Sequence, residues 1–217
     1  MAPGAGGATV TMTDLRATYN TAGGGIFAQA YNLLGATASV VMNRNDGSYN
    51  SMDYGIYAAH NYETGVRALA SSLNGDASID LSGIVARNNG HVDAYGSRSG
   101  EGVSVTAGAW QTGNVAVTLT DVDASSNAIN GVYAYTFAWN GDVTVTTAAG
   151  ALGVGVDARD NYNGVSIESQ VGRKFDVFPG GYVHYGAGNA TLTLDNVTAV
   201  GNDNWGVNAT ASIEGLS

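Results

Sequence analysis

The densest acidic spot in this 217-residue chain is "VDARDN", where Asp157 and Asp160 flank Arg159. Two carboxyl groups held at a defined gap are what glycoside hydrolysis requires. Clustered carboxylate oxygens are also what a hard cation such as calcium takes. Asp121 and Asp123, in "DVD", form a second pair that alternates onto one face of a strand. The rest of such machinery is missing from the sequence. There is no Asp-rich loop with calcium-binding turn spacing and no nine-residue calcium-roll repeat. His60 and His184 show no metal-ligand spacing, and no Gly-x-Ser-x-Gly elbow occurs. Asp157, Arg159 and Asp160 are therefore the catalytic candidates, the other acids read as solvated turn residues, and the expectation is a chain without metal, cofactor or enzymatic activity.

Binding chemistry is better represented. In "GVYAYTFAWNG", period-two alternation puts Val132, Ala134, Thr136 and Ala138 on one face and Tyr133, Tyr135, Phe137 and Trp139 on the other. The same alternation turns Phe27, Tyr57 and Tyr95 outward at matching positions of other segments. The seven rings together predict an exposed aromatic stripe, a surface for a glycan or a protein partner.

These residues are positioned by a repeat. "VTMTDLRATYNTAGGGIFAQA" from Val10 superposes without gaps on "VVMNRNDGSYNSMDYGIYAAH" from Val40, and further copies begin near Ile79, Val117 and Leu192. Each copy opens on a short alternating strand such as Val117-Thr118-Leu119-Thr120 and continues as apolar-x-Ala-x-x-Asn. It closes on Gly-(Val/Ile)-x-(Ala/Val/Ile), which begins at Gly25, Gly55, Gly65, Gly102, Gly131, Gly153, Gly164 and Gly206. Gly and Asn tolerate the positive φ of a sharp corner. One such unit cannot bury its inward Val, Ile and Leu alone, whereas stacked units bury them in a continuous column. The expectation is an all-β solenoid of roughly seven to nine coils, its regularity interrupted within 60–115 and 168–190. Asn20, Asn50, Asn89, Asn127 and Asn202, with Asp160 or Asn161 in one further copy, should stack at one corner as a structural amide ladder.

The segments "DLRATYN", "GIVARNN", "DVDASSN" and "DNVTAVGN", each followed by a turn and usually by "GV" or "GI", resemble the right-handed parallel β-helix proteins of the pectin-lyase-like superfamily. That resemblance spans nearly the whole chain and implies a single right-handed parallel β-helix over residues 8–217, after a flexible Gly-rich lead-in at 1–7. For a pectate-lyase-like member it implies calcium on Asp157 and Asp160, with Arg159 or Arg173-Lys174 as base. For a polygalacturonase-like member it implies a Gly-His-Gly and an Arg-x-Lys motif after paired Asp. Here Gly90-His91-Val92 precedes "DARD" and Arg173-Lys174 has no intervening residue, so both enzymatic patterns are broken. Fold alone does not fix function.

Composition narrows the partners. Eight basic against 18 acidic residues give a net charge of −10, with Lys174 the sole lysine. That excludes the basic patch that nucleic acid or an anionic membrane surface requires. No apolar run approaches the roughly 18 residues of a membrane helix, and no cysteine is present for disulfides. The start, "MAPGAGGA", lacks the regions of a signal peptide. The expected role is a structural or adhesive module of a larger secreted or surface protein whose signal lies outside this chain. It would self-associate end to end or through its aromatic stripe. Carbohydrate binding or polysaccharide degradation is the alternative. Ice binding through outward Thr rows is a lesser one, because Asp80, Ser104 and Asn43 break those rows.

Overall fold

The computed structural model describes residues 6–44, 55–172 and 186–213, and every regular element in them is a β-strand. The described residues make six passes through a common order of elements. The first pass holds β1 (Ala8–Thr13), β2 (Leu15–Thr18) and β3 (Ile26–Asn32), and the second holds β4 (Ala38–Asn43), β5 (Ile56–Ala59) and β6 (Val66–Ser72). In the third, one long strand β7 (Ala77–Arg87) is followed by a hairpin of β8 (His91–Val92) and β9 (Arg98–Ser99), then by β10 (Val103–Ala109). The fourth consists of β11 (Val115–Asp123) and β12 (Asn130–Ala138). The fifth contains β13 (Val143–Ala148), β14 (Val156–Asp157) and β15 (Asn163–Val171), and the sixth contains β16 (Ala190–Leu194), β17 (Val197–Thr198) and β18 (Trp205–Ile213).

Corresponding strands pair across passes. One parallel sheet runs β1-β4-β7-β11-β13-β16 and is extended by β2, β5, β14 and β17; a second runs β3-β6-β10-β12-β15-β18. Register explains why these segments are strands. Val10, Val40, Ile79, Val117, Val145 and Leu192 form one inward column across the first sheet, while Thr118, Thr146 and Thr193 form an outward one. Ile26, Val66, Val103, Val132, Val165 and Val207 begin the inward side of the second sheet. β-Branched residues suit this pleated, half-buried setting. The two inward sides meet in a single apolar core, from Val40 and Ile56 to Val165 and Ile167. Where hydroxyls enter it they are partnered: Thr136 Oγ1 and Ser169 Oγ lie 2.8 Å apart, and Thr147 Oγ1 donates to the Asp195 carbonyl at 2.9 Å.

The described residues hold six such passes, where seven to nine coils are expected. The glycine motif does not mark one fixed point of a pass: six of its eight copies lead into the second sheet, whereas Gly55 and Gly153 precede the short strands β5 and β14 of the first. The gap-free superposition of 10–30 on 40–60 also holds only in part. Met12 does pair with Met42. Beyond that strand the register changes, since Leu15 pairs with Ile56 and Ile26 with Val66. The chain adds residues between β4 and β5, so Asn50, assigned to the ladder from that superposition, lies outside the described residues. The antiparallel hairpin β8–β9 was not foreseen.

Candidate functional site

The most organised polar feature is the corner between the two sheets. Asn20 Nδ2 donates to Asn61 Oδ1 at 2.6 Å, Asn61 Nδ2 to Asn89 Oδ1 at 2.8 Å, Asn89 Nδ2 to Asn127 Oδ1 at 3.1 Å and Asn127 Nδ2 to Asn161 Oδ1 at 3.2 Å. The backbone N–H of Asn161 then donates to Asn202 Oδ1 at 2.9 Å. Each interior amide also reaches back one pass, as Asn89 Nδ2 does to the Ala58 carbonyl at 3.0 Å and Asn127 Nδ2 to the Ala86 carbonyl at 2.9 Å. Asn20, Asn89, Asn127 and Asn202 thus occupy the ladder. Asn161 rather than Asp160 holds the fifth position, and Asn61 holds the second. Asn61 was legible, because Ile56-x-Ala58-x-x-Asn61 repeats the motif, but the false superposition masked it. The ladder also accounts for the following glycines: a Cβ on Gly65 or Gly102 would overlap the Asn89 or Asn127 amide.

Directly before each ladder Asn the backbone turns left-handed. Tyr19, His60, Asn88, Ser126 and Asp160 have φ between 54 and 60°, and Gly201 has φ 72°. The five side chains project from the corner in register and are exposed. His60 stacks on Tyr19 at 4.8 Å and 7°, and one residue further out His91 stacks on Tyr62 at 3.9 Å and 19°. Two shallow depressions of about 270 and 320 Å³ run along this corner and share Asn88 and Gly90. Hairpin β8–β9 forms a wall of the second through His91 and Val92. Arg98 pins the hairpin across later passes. Its Nη1 donates to the Ala128 carbonyl at 3.3 Å, its guanidinium lies 4.5 Å over the Tyr162 ring, and its Nη2 donates to Asp203 at 3.4 Å. At the hairpin tip, Asp93 Oδ1 accepts the Tyr95 and Ser97 N–H groups, each at 2.8 Å. The bond from Ser97 is the main influence holding that carboxyl below its ordinary value.

The catalytic candidates do not converge. Arg159 is ion-paired to the buried Asp157; the Asp157 carboxylate holds the guanidinium above its ordinary value. Asp160, turned by its left-handed φ, belongs instead to the corner depression. Asp123, the register neighbour of Asp157, is buried and ion-paired to Arg87. Asp121 is buried as well, accepting N–H groups of Gly150, Leu152 and Val154 at 2.9, 2.8 and 3.1 Å. Asp121, Asp123 and Asp157 are thus structural anchors rather than solvated turn residues, whereas Asp160 stays exposed at its turn. Among the described residues no group of three or more His, Cys, Asp or Glu is placed to hold a metal ion. Arg173, Lys174 and His184 lie outside the described residues.

The aromatic stripe divides. Tyr133, Tyr135 and Phe137 line the outer face of β12, with Trp139 just beyond it, all half-buried. Trp110, missed in the sequence because it sits after β10 rather than within a motif, packs edge-on against Phe137 at 4.5 Å and donates from Nε1 to Ser71 Oγ at 2.8 Å. The Phe137 ring covers Gly108, where a Cβ would collide with it. Burial, then the charge of Glu168, raises the Tyr133 hydroxyl above its ordinary value. Phe27 shares this sheet but lies two strands beyond β10, beneath the Arg67 guanidinium. Tyr57 lies on the other sheet in β5, with Arg16 over its ring at 5.1 Å, and Tyr95 is at the hairpin tip, 95% exposed.

These features define a repeat protein of parallel strands with an amide-laddered corner. Comparison with protein-family models, with curated proteins and with solved structures finds no match to this chain.

Proposed function

We propose that the chain is a single right-handed parallel β-helix, similar in plan to the pectin-lyase-like solenoids, and that it serves as a structural or adhesive module of a larger secreted or surface protein by stacking end to end on a second copy. The observation that carries this reading is the open inner column of the sixth pass. In β18, Val207 and Ile213 are 47% and 57% exposed, while their partners in β15, Val165 and Val171, are fully buried. Strands β3 and β18 both lie at the edge of their sheet, with one neighbour each among the described residues. Such edges recruit further strands. The ladder ends match as well. Asn202 Nδ2 is buried without a partner, and Asn20 accepts no side-chain bond from the described residues. A second copy set head to tail would continue the parallel pairing and meet that donor with an amide oxygen. Covering the exposed half of one such valine or isoleucine contributes roughly 0.7–1.5 kcal/mol. In sedimentation velocity the chain should form species larger than a monomer as concentration rises, and Val207→Asp should shift them toward monomer. A strict monomer throughout the range refutes the reading.

A further inference from the structure

The left-handed corner row carries side chains at positions where glycine would serve the backbone at least as well. Glycine is the residue that adopts positive φ without a steric penalty, and the sixth pass uses it at Gly201. The other five passes carry Tyr19, His60, Asn88, Ser126 and Asp160, side chains that the ladder does not use: the ladder bonds are made by the following Asn in each pass. Four of them, His60, Asn88, Ser126 and Asp160, add an imidazole ring, an amide, a hydroxyl and a carboxylate in register along the two depressions, which adjoin at Asn88 and Gly90. His91 enters from the hairpin with Nδ1 engaged by Ser99 Oγ at 2.7 Å and the Tyr62 carbonyl at 3.2 Å, leaving Nε2 as the ring nitrogen available to a ligand.

The lining also says what does not bind. Neither depression is lined by Lys or Arg, Asp160 supplies the one carboxylate, and the chain as a whole carries −10. A polyanion would be repelled, and an apolar ligand would leave the amides and hydroxyls unpaired. An uncharged, polyhydroxylated, extended ligand fits both constraints. Its ring faces would lie on the Tyr62 and His60 rings, and its hydroxyls would bond to Asn88, Ser126, Asp160 and His91 Nε2. We propose that this corner is a binding groove for a neutral glycan chain, lying along the stack and distinct from the aromatic face of β12.

The test is affinity electrophoresis of the whole chain through gels containing soluble neutral polysaccharides (β-glucan, mannan, xylan) or acidic ones (polygalacturonate, alginate). At least one neutral polymer should retard the protein while the acidic ones do not. Tyr62→Ala should weaken that retardation by about tenfold in Kd, and Trp110→Ala should leave it unchanged. Asn88→Gly and Ser126→Gly keep or ease the left-handed backbone, so their denaturation midpoints should equal or exceed the parent's while retardation falls. No retardation by any neutral polymer, retardation by acidic polymers only, or corner variants that bind like the parent would each overturn the proposal, as would loss of binding in Trp110→Ala alone. Association between copies is read separately by sedimentation, so either idea can fail without the other.

Discussion

Asn89→Ala tests whether the amide ladder holds the passes together. Asn89 is buried and central: its Oδ1 accepts both the Asn61 N–H at 3.2 Å and Asn61 Nδ2 at 2.8 Å, and its own Nδ2 serves the Ala58 carbonyl and Asn127 Oδ1. Truncation spares two of the four partners. Asn61 Nδ2 keeps the Ala17 carbonyl, and Asn127 Oδ1 keeps the Asn89 N–H. The Asn61 N–H is left without its acceptor and the Ala58 carbonyl loses its side-chain donor. At roughly 1–3 kcal/mol for each buried group so affected, the cost is about 2–6 kcal/mol, a large part of the 5–15 kcal/mol typical of a whole domain. Asn202→Ala is the internal control. Asn202 accepts the Asn161 N–H and its Nδ2 makes no bond, so about 1–3 kcal/mol is at stake. Guanidinium denaturation followed by circular dichroism should place the Asn89→Ala midpoint clearly below that of Asn202→Ala. Equal midpoints would refute the reasoning, because they would mean that strand pairing alone fixes the corner.

Further outcomes follow from individual contacts. Asp121→Ala removes the acceptor shared by the Gly150, Leu152 and Val154 N–H groups; it should cost about 3 kcal/mol and admit protease cleavage near Ala151, with Asp121→Asn recovering part of the loss. Burial raises the Asp80 carboxyl above its ordinary value of 3.8, so its contribution to folding is fully present below that value and is lost as pH rises through the raised one. Asp80→Thr, which extends the Thr118-Thr146-Thr193 column, should therefore raise the denaturation midpoint at pH 7, and this advantage should vanish in acid. Gly108→Val should displace the Phe137 ring from the sheet and break its edge contact with Trp110, read as a shift in tryptophan fluorescence.

Much of the architecture was written in the sequence as periodicity. Val-x-Val alternation located the strands of both sheets, and apolar-x-Ala-x-x-Asn located the corner, because a side chain that must bond its own counterpart in the next pass has to recur as the same residue type. What escaped were contacts without periodicity. Tyr57 obeys the same local alternation as Phe27 yet lies on the other sheet, since alternation fixes inward against outward but not which sheet a strand joins. Arg98 has no counterpart in other copies. Its sole sequence signal is the delay between Asn89 and Gly102, long beside that between Asn127 and Gly131. Asp157 and Asp160, three residues apart, separate because Asp160 itself takes the left-handed φ at which the chain turns. The tripeptide Asn202-Asp203-Asn204 likewise divides its labour: ladder amide, anchor for Arg98, and donor to Asn163 Oδ1 at 3.1 Å.

The reach of Arg98 constrains how this molecule can change over generations. Repeat proteins lengthen and shorten by duplicating or deleting whole units, and a ladder of identical amides tolerates such edits because any unit can follow any other. An arginine that leaves the third unit and touches Ala128, Tyr162 and Asp203 in the next three measures a fixed distance. Deleting or doubling a unit inside that span would bring the wrong residue under the guanidinium. The stretch from His91 to Asp203 therefore behaves as an indivisible cassette, and the His91–Tyr62 stack ties the second unit to it as well, so that of the six units the first alone lies outside these ties.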